Sequence, residues 1–170
     1  AYYAADVTRT YPASGRYSQA QRALYDLVLK ANRGAIAACR PGAAFNQPHD
    51  VATQILVDGL IDLGLLRGAA QALIASCAHE KFCPHKTSHW LGLDVHDVGD
   101  YRLGEQWRDL MPGMVLTVEP GIYIPRDSTT ADVPEAFRGI GIRVEDSVLI
   151  TPQGCQVLTE DLLKDPDEIE

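Results

Sequence analysis

The chain has 170 residues, of which 46% are hydrophobic, which is enough to bury the core of one domain. Its formal net charge of -8 argues against general binding to nucleic acid or to an anionic membrane surface. The sequence has neither a basic and apolar leader nor an apolar run long enough to span a bilayer. The four cysteines form no CxxC pair and are interpreted as thiols in a reducing compartment. We therefore expect a cytoplasmic protein that binds neither nucleic acid nor membrane.

One strand followed by three helices is predicted for the first half of the chain. The opening run AYYAADVTRTYP is aromatic and β-branched, which is typical of a strand. Ser18 and Gln21 have capping-box spacing, so a helix is predicted from there to Pro41. A second helix is predicted over 49–63 and a shorter, alanine-rich one over 69–77.

From Ser88 onward the hydrophobic pattern has a period of two and is rich in valine and isoleucine. This pattern predicts strands over 88–97, 114–124, 139–150 and 155–158. Turns are predicted between them at 111–113 and 151–154. The acidic end, residues 161–170, is predicted to be a solvated cap, and Asp58 and Asp62 an exposed face. Helices followed by an antiparallel sheet make an α+β domain.

Several ionisable side chains fall in segments that are predicted to be buried strands. A buried charge without a partner is costly, so these groups require a common explanation. Carboxylates and imidazoles that converge from separate strands suit pairs of Mn or Zn ions. The candidate metal-binding residues are Asp6, His89, His96, Glu119 and Glu145.

Strand parity predicts which of these side chains lie on the same face. Arg143 and Glu145 share one face, where the guanidinium is expected to keep the carboxylate ionised. Thr8 shares a face with Asp6 and is placed to hydrogen-bond a metal-binding carboxylate.

His89 and His96 are separated by an odd number of residues, so a regular strand would point them to opposite faces. Gly92, between them, offers a bend that would bring the two together. Otherwise the two histidines have different roles.

Each candidate also has a structural interpretation. A lone histidine in a strand is more often part of a hydrogen-bonded core, and we treat His49 and His79 as structural or surface residues. A plain salt bridge would explain the pair of Glu145 and Arg143, and a role in capping a turn would explain Asp6. A single zinc ion bound by three histidines is another interpretation, but it leaves Glu119 and Glu145 unexplained. The histidines of that set are His85, His89 and His96.

Four segments resemble, in order and spacing, the catalytic domain of the Xaa-Pro aminopeptidases, which have the pita-bread metallopeptidase fold. They are DVTRTYP, SHWLGLDVHDVG, PGMVLTVEPGIYI and RGIGIRVEDSVLIT. The resemblance covers nearly the whole chain. It implies that residues 1–170 are part of the carboxyl-terminal catalytic domain, with helices packed on a curved antiparallel sheet, whose upstream strands and preceding domain lie outside this sequence.

The resemblance also implies a centre of two divalent metal ions, usually Mn²⁺, with Zn²⁺ or Co²⁺ as alternatives. Asp6 and Glu145 would be bridging carboxylates, while His89 and Glu119 would bind one metal. The fifth ligand would be an aspartate in an upstream polypeptide segment, before residue 1.

The activity implied by the resemblance is removal of the first residue from peptides that have proline second, through a metal-bridging hydroxide. Glu119 would move the proton toward the leaving nitrogen, and His96 would stabilise the oxyanion. Arg143 would hold Glu145 in place, and His85 would shape the proline pocket. Many members of the family have glycine where this chain has Lys86.

Two alternatives stay open at this point. A prolidase, the Xaa-Pro dipeptidase, has the same ligands but cleaves only the dipeptide. A pita-bread module without catalytic activity would instead bind a protein partner. We expect the protein to form a homo-oligomer.

Overall fold

A computed structural model describes residues 2–127 and 133–170. Three helices come first: α1 (Gln19–Ala38), α2 (Gln47–Asp62) and α3 (Ala70–Ala75). They are followed by strands β1 (Arg102–Leu103), β2 (Gln106–Trp107), β3 (Val115–Val118), β4 (Gly121–Tyr123), β5 (Gly141–Arg143), β6 (Asp146–Thr151) and β7 (Gly154–Val157). A 3-10 turn (Glu135–Phe137) precedes β5, and a short helix α4 (Pro166–Ile169) follows β7.

The two long helices pack against each other as one layer, close to their predicted positions. The capping box at the start of α1 is present, with Ser18 and Gln21 each bonding the other's backbone N–H. Close packing of the helices depends on Gly59, because a Cβ there would lie 2.2 Å from Leu27 Cδ1. Within residues 2–127 and 133–170, no helix combines the length and apolar character needed to cross a bilayer.

The strands pair antiparallel, as predicted, but in small groups. One sheet has the order β3-β6-β7, β4 pairs with β5, and β1 with β2 forms a separate hairpin that the sequence did not predict. One hydrophobic core joins the helices to this sheet layer. Its fully buried members include Leu24, Tyr25, Val28, Val57, Leu60, Leu116, Val118, Ile122, Val144 and Val148.

The strand predictions for the opening run and for 88–97 are wrong. The opening run makes a single bridge, between Thr8 and Glu145, and residues 88–97 make a single bridge at Trp90. Residues 87–91 nevertheless run beside β3, with backbone hydrogen bonds from Leu91 to Val115, from Thr117 to His89 and from Glu119 to Thr87. The paired length is shorter than predicted, because residues 92–96 are bends.

The other two long strands are interrupted, and each interruption lies at a candidate metal ligand. Residues 114–124 divide at Glu119 and Pro120, because proline has no N–H for the ladder. Residues 139–150 divide between β5 and β6, at Glu145. The candidate ligands Glu119 and Glu145 therefore lie at strand ends, where the regular pairing stops.

The acidic end is more than a solvated cap, which corrects the prediction for residues 161–170. Pro166 is buried, and the Tyr25 hydroxyl in α1 donates to the Lys164 carbonyl at 3.0 Å. The segment is therefore fastened to the helical layer. Asp58 and Asp62 are exposed, as predicted.

Candidate metal centre

Three predicted ligands bring their oxygen and nitrogen atoms together from separate segments. One ligand atom each from Asp6, His89 and Glu145 lies within 4.8 Å of the other two. The bridge between Thr8 and Glu145 holds two of these segments side by side. The cluster is therefore built by contacts between parts of the chain more than 50 residues apart in sequence.

His89 lies at the middle of the cluster. Its Nε2 is 3.4 Å from Asp6 Oδ2 and 3.3 Å from Glu119 Oε1. Its Nδ1 is 2.9 Å from the Trp90 carbonyl, which can only accept, so Nδ1 carries the hydrogen. In the neutral ring, Nε2 is then the lone-pair nitrogen, and it faces the carboxylates, as metal-binding histidines require.

Glu145 is the most deeply buried of the four, with 2% of its surface exposed. Within the described residues, its Oε1 has no hydrogen-bond partner. Burial raises the pKa of Glu145 and outweighs the hydrogen bond from Thr8, while Glu119 and Asp6 add repulsion. Arg143 acts in the predicted direction, since it lowers the pKa of Glu145, but its effect is smaller than those of burial and of the neighbouring carboxylates. A divalent cation would satisfy Oε1 and offset the negative charge, so these residues fit a metal.

Arg143 acts through Thr8. Its Nε donates to Thr8 Oγ1 at 3.2 Å, and Thr8 Oγ1 donates to Glu145 Oε2 at 2.5 Å. Its Nη1 lies 3.7 Å from Glu119 Oε2, so its ion pair is with that carboxylate. The hydrogen bond predicted from Thr8 to a candidate ligand is present, and Glu145 is the residue that receives it.

The bend at Gly92 brings His96 back to His89, which confirms one of the two predicted alternatives. The two imidazole ring centres are 4.4 Å apart, with the rings nearly perpendicular. The bend is tight, since a Cβ on Gly92 would lie 1.9 Å from Asp97 Oδ2. A larger residue there would require the Asp97 side chain to move.

His85 lies beside Tyr123, a residue that the sequence analysis did not single out. The Nδ1 atom of His85 is 2.8 Å from the Lys86 carbonyl, so its Nε2 accepts from the Tyr123 hydroxyl, also at 2.8 Å. Burial raises the pKa of Tyr123, which keeps this hydroxyl neutral. Tyr123 follows the buried Ile122 in a predicted strand, so strand parity is the signal that could have identified its face.

A second carboxylate, next to Glu145 in sequence, lies in a group that we name the Asp146 cluster (Arg9, Asp146, Thr159 and Lys164). Asp146 Oδ1 is 2.9 Å from Arg9 Nη2 and 2.8 Å from Thr159 Oγ1, while Oδ2 is 2.6 Å from Lys164 Nζ. Burial by itself would raise the pKa of Asp146, but the hydrogen bonds from Lys164, Thr159 and Arg9 hold it below its usual range. This charge is already satisfied by the protein.

A cavity of about 720 Å³ lies beside α2. Among the described residues that line it are Phe45, His49, Thr53, His79, Ser88 and Trp107, and none of the four candidate ligands. His49 Nδ1 is 2.9 Å from Thr87 Oγ1, which supports its structural interpretation. Burial lowers the pKa of His49 to about 4, so this ring is neutral at pH 7.

Comparison with known proteins identifies the family. Residues 1–152 match metallopeptidase family M24. The chain is 50% identical over 168 residues to an Xaa-Pro aminopeptidase of Escherichia coli, covering 99% of this chain and 37% of that protein. It is 49% identical over 170 residues to an Xaa-Pro aminopeptidase of Haemophilus influenzae, covering 39% of it. The chain thus spans well under half the length of these relatives.

Solved structures give the same result for the fold. The aminopeptidase PepP of Pseudomonas aeruginosa matches with a TM-score of 0.96 and 50% identity, over 99% of this chain and 38% of that one. A variant of E. coli aminopeptidase P in complex with substrate matches with a TM-score of 0.92 and 49% identity, over 37% of its length. The expected pita-bread fold is therefore confirmed. The chain belongs to metallopeptidase family M24.

Proposed function

We propose that the protein to which this chain belongs is a metal-dependent Xaa-Pro aminopeptidase. The observation that carries the proposal is the convergence of Asp6, His89 and Glu145, together with a buried Glu145 Oε1 that has no hydrogen-bond partner among the described residues. The names of the relatives support the substrate class, a peptide with proline at its second position. We further propose that an upstream aspartate completes the ligand set, and that the protein is a cytoplasmic homo-oligomer.

We propose that the site binds two divalent metal ions, Mn²⁺ with Zn²⁺ or Co²⁺ as alternatives. When bound, they would lower the pKa of water to give a bridging hydroxide, and they would act as Lewis acids toward the peptide carbonyl. The residues that would hold them are Asp6, His89, Glu119 and Glu145. Arg143 is a cation beside these residues, with its Nη1 3.7 Å from Glu119 Oε2. The cluster is otherwise rich in acidic groups, which favours cations over anionic ligands.

Glu119 is the residue that we propose moves the proton. Its Oε1 is engaged, at 3.3 Å from His89 Nε2 and 3.2 Å from Thr117 Oγ1. Its Oε2 is less constrained, since the nearest cation, Arg143 Nη1, is 3.7 Å away. Oε2 is therefore the atom that takes a proton from water and delivers it to the leaving proline nitrogen.

His96 and His85 are proposed to contact substrate. The exposed ring of His96 stands against His89, within reach of charge that develops on the scissile carbonyl oxygen. His85 and the neutral Tyr123 hydroxyl form a rigid polar pair near the metal ligands. Because a proline amide has no N–H, selection of proline must come from the shape of such a pocket, not from a donated hydrogen bond.

Loss of a ligand carboxylate tests the proposal in the full-length, Mn²⁺-loaded protein. Glu119→Ala and Asp6→Ala are each expected to abolish turnover of an Xaa-Pro-Yaa tripeptide, with folding preserved by circular dichroism. Asp58→Ala, an exposed carboxylate on α2, is the matched control and should leave turnover unchanged.

The same assay separates the alternatives. Cleavage of the tripeptide supports the aminopeptidase, whereas cleavage of the Xaa-Pro dipeptide alone supports a prolidase. Wild-type protein that binds no Mn²⁺ and cleaves neither substrate would point to the binding module. Full activity in either ligand variant would overturn the proposed site.

A further inference from the structure

Thr8 links a fixed hydrogen-bond donor to a candidate metal ligand. Its Oγ1 accepts from Arg143 Nε at 3.2 Å and lies 2.5 Å from Glu145 Oε2. A guanidinium has only N–H donors, so the hydroxyl must accept from it. The single hydroxyl hydrogen is then directed at Glu145. The order of donation is Arg143, Thr8 and Glu145.

Thr117 has the same arrangement on the other side of the cluster. Its Oγ1 accepts from the backbone N–H of His89 at 3.1 Å and donates to Glu119 Oε1 at 3.2 Å. The backbone N–H is again only a donor, so the direction of the hydroxyl is fixed. Thr117 is completely buried, and water therefore cannot replace its hydroxyl.

We propose that Thr8 and Thr117 are positioning residues that hold the Glu145 and Glu119 carboxylates in the orientation needed to bind metal. The inference rests on the proposed metal-dependent function and deepens it. A hydroxyl whose donor direction is fixed holds the carboxylate oxygen that accepts from it at one position. It also restricts rotation of the glutamate, so that less freedom is lost when a cation binds.

The two arrangements converge on Arg143. Its Nε directs Thr8 toward Glu145, and its Nη1 lies 3.7 Å from the other oxygen of Glu119. Groups within one hydrogen-bonded network do not contribute independently. The loss of metal affinity in the double variant should therefore differ from the product of the two single losses.

The test measures Mn²⁺ affinity in the full-length protein, first stripped with a chelator and then titrated against a fluorescent metal indicator. Thr8→Val and Thr117→Val keep the shape of the side chain but remove its hydroxyl. Each is expected to weaken Mn²⁺ binding roughly 10- to 100-fold. Thr8→Ser and Thr117→Ser restore the hydroxyl and should restore most of the affinity. Serine rescue distinguishes positioning from a purely structural role.

Thr53→Val is the matched control. Thr53 is a buried threonine of α2 beside the cavity, away from the candidate ligands, and its replacement should leave affinity for Mn²⁺ unchanged. Urea unfolding of each metal-free variant verifies folding. If a valine variant does not fold, the smaller Thr8→Ala or Thr117→Ala replaces it in the same titration, with the same expected loss.

The outcomes separate this inference from the function on which it rests. Wild-type protein that does not bind Mn²⁺ would overturn the proposed function itself. Wild-type binding with unchanged affinity in folded valine or alanine variants would overturn the positioning role alone. An equal loss of Mn²⁺ affinity in the Thr53→Val control would also overturn the positioning role. So would serine variants that do not regain the affinity.

Discussion

Glu145 and Asp146 are consecutive residues, and both are buried, yet their surroundings differ completely. Asp146 lies in the Asp146 cluster, where two cations and a hydroxyl hydrogen-bond its carboxylate. Glu145 faces the other side, with a hydroxyl on one oxygen and no partner for the other among the described residues. Their pKa values move in opposite directions, lowered for Asp146 and raised for Glu145.

The comparison distinguishes a structural carboxylate from one that is prepared for a ligand. The protein itself neutralises the first, so its charge contributes to folding. The second is left short of positive charge beside Asp6 and Glu119, which costs stability in the metal-free state. Binding of a cation would reverse that cost. The Arg9 side chain connects the two regions, since it bonds Asp146 Oδ1 and, at 2.6 Å, the Glu145 carbonyl.

The largest effect is expected from Asp146→Asn. This change leaves Arg9 and Lys164 without their shared anion in a mostly buried site, and should lower the free energy of unfolding by about 3–5 kcal/mol. Urea unfolding of the metal-free full-length protein measures it. A loss below about 1 kcal/mol, the value of an exposed salt bridge, would contradict a structural role for the cluster.

A smaller effect is expected from His49, a largely buried ionisable group. It stays neutral, so it needs neither the protein cations that Asp146 has nor a bound metal ion. Burial, with Lys86 nearby, lowers its pKa to about 4, whereas an unfolded chain titrates near 6.5. The unfolded state therefore binds the additional proton between these values, so stability is lost as the pH falls through that window.

His49→Asn should remove this dependence while keeping a polar atom near Thr87. Between pH 6.5 and pH 4 we expect the wild type to lose on the order of 2 kcal/mol more than the variant, after discount for partial exposure. Urea midpoints across that range provide the measurement. Parallel pH profiles for the two proteins would show that His49 is charged in the folded state.

The smallest effect, and one of opposite sign, is expected from Glu145→Gln in metal-free protein. The amide removes a buried negative charge next to Asp6 and Glu119, so the free energy of unfolding should rise by about 1 kcal/mol at pH 7. Because the pKa of Glu145 is raised in the folded state, its unfavourable contribution is absent at acidic pH and present above the folded pKa. The gain should therefore disappear when the pH falls below about 4. A destabilised variant at pH 7 would indicate that Glu145 is already compensated.

The sequence predicts the helical layer better than the metal centre, for a physical reason. A capping box such as that of Ser18 and Gln21 is a local signal, and so is the period of an amphipathic helix. Not every point where a strand stops has a local signal. Pro120 is a local sign that the ladder ends at Glu119, but a period of two gives no sign that Trp90 makes a single bridge.

A local sequence pattern likewise cannot predict the difference between the surroundings of Glu145 and those of Asp146. Parity places them on opposite faces, but the partners of Asp146 come from Arg9 and Lys164, at distant positions in the chain. The predicted direct link between Arg143 and Glu145 fails for a similar reason, since Thr8 lies between them. Strand pattern gives Asp6, His89, Glu119 and Glu145 as candidate ligands together with His96, and the family resemblance moves His96 out of that set.

Metal content is the most direct test of whether Glu145 binds a cation and Asp146 does not. Full-length wild type, Glu145→Gln and Asp146→Asn are dialysed against Mn²⁺ under conditions where all three are folded, and bound metal is determined by elemental analysis. We predict bound Mn²⁺ in the wild type, retention in Asp146→Asn, and marked loss in Glu145→Gln. Equal metal content in Glu145→Gln and the wild type would contradict the account.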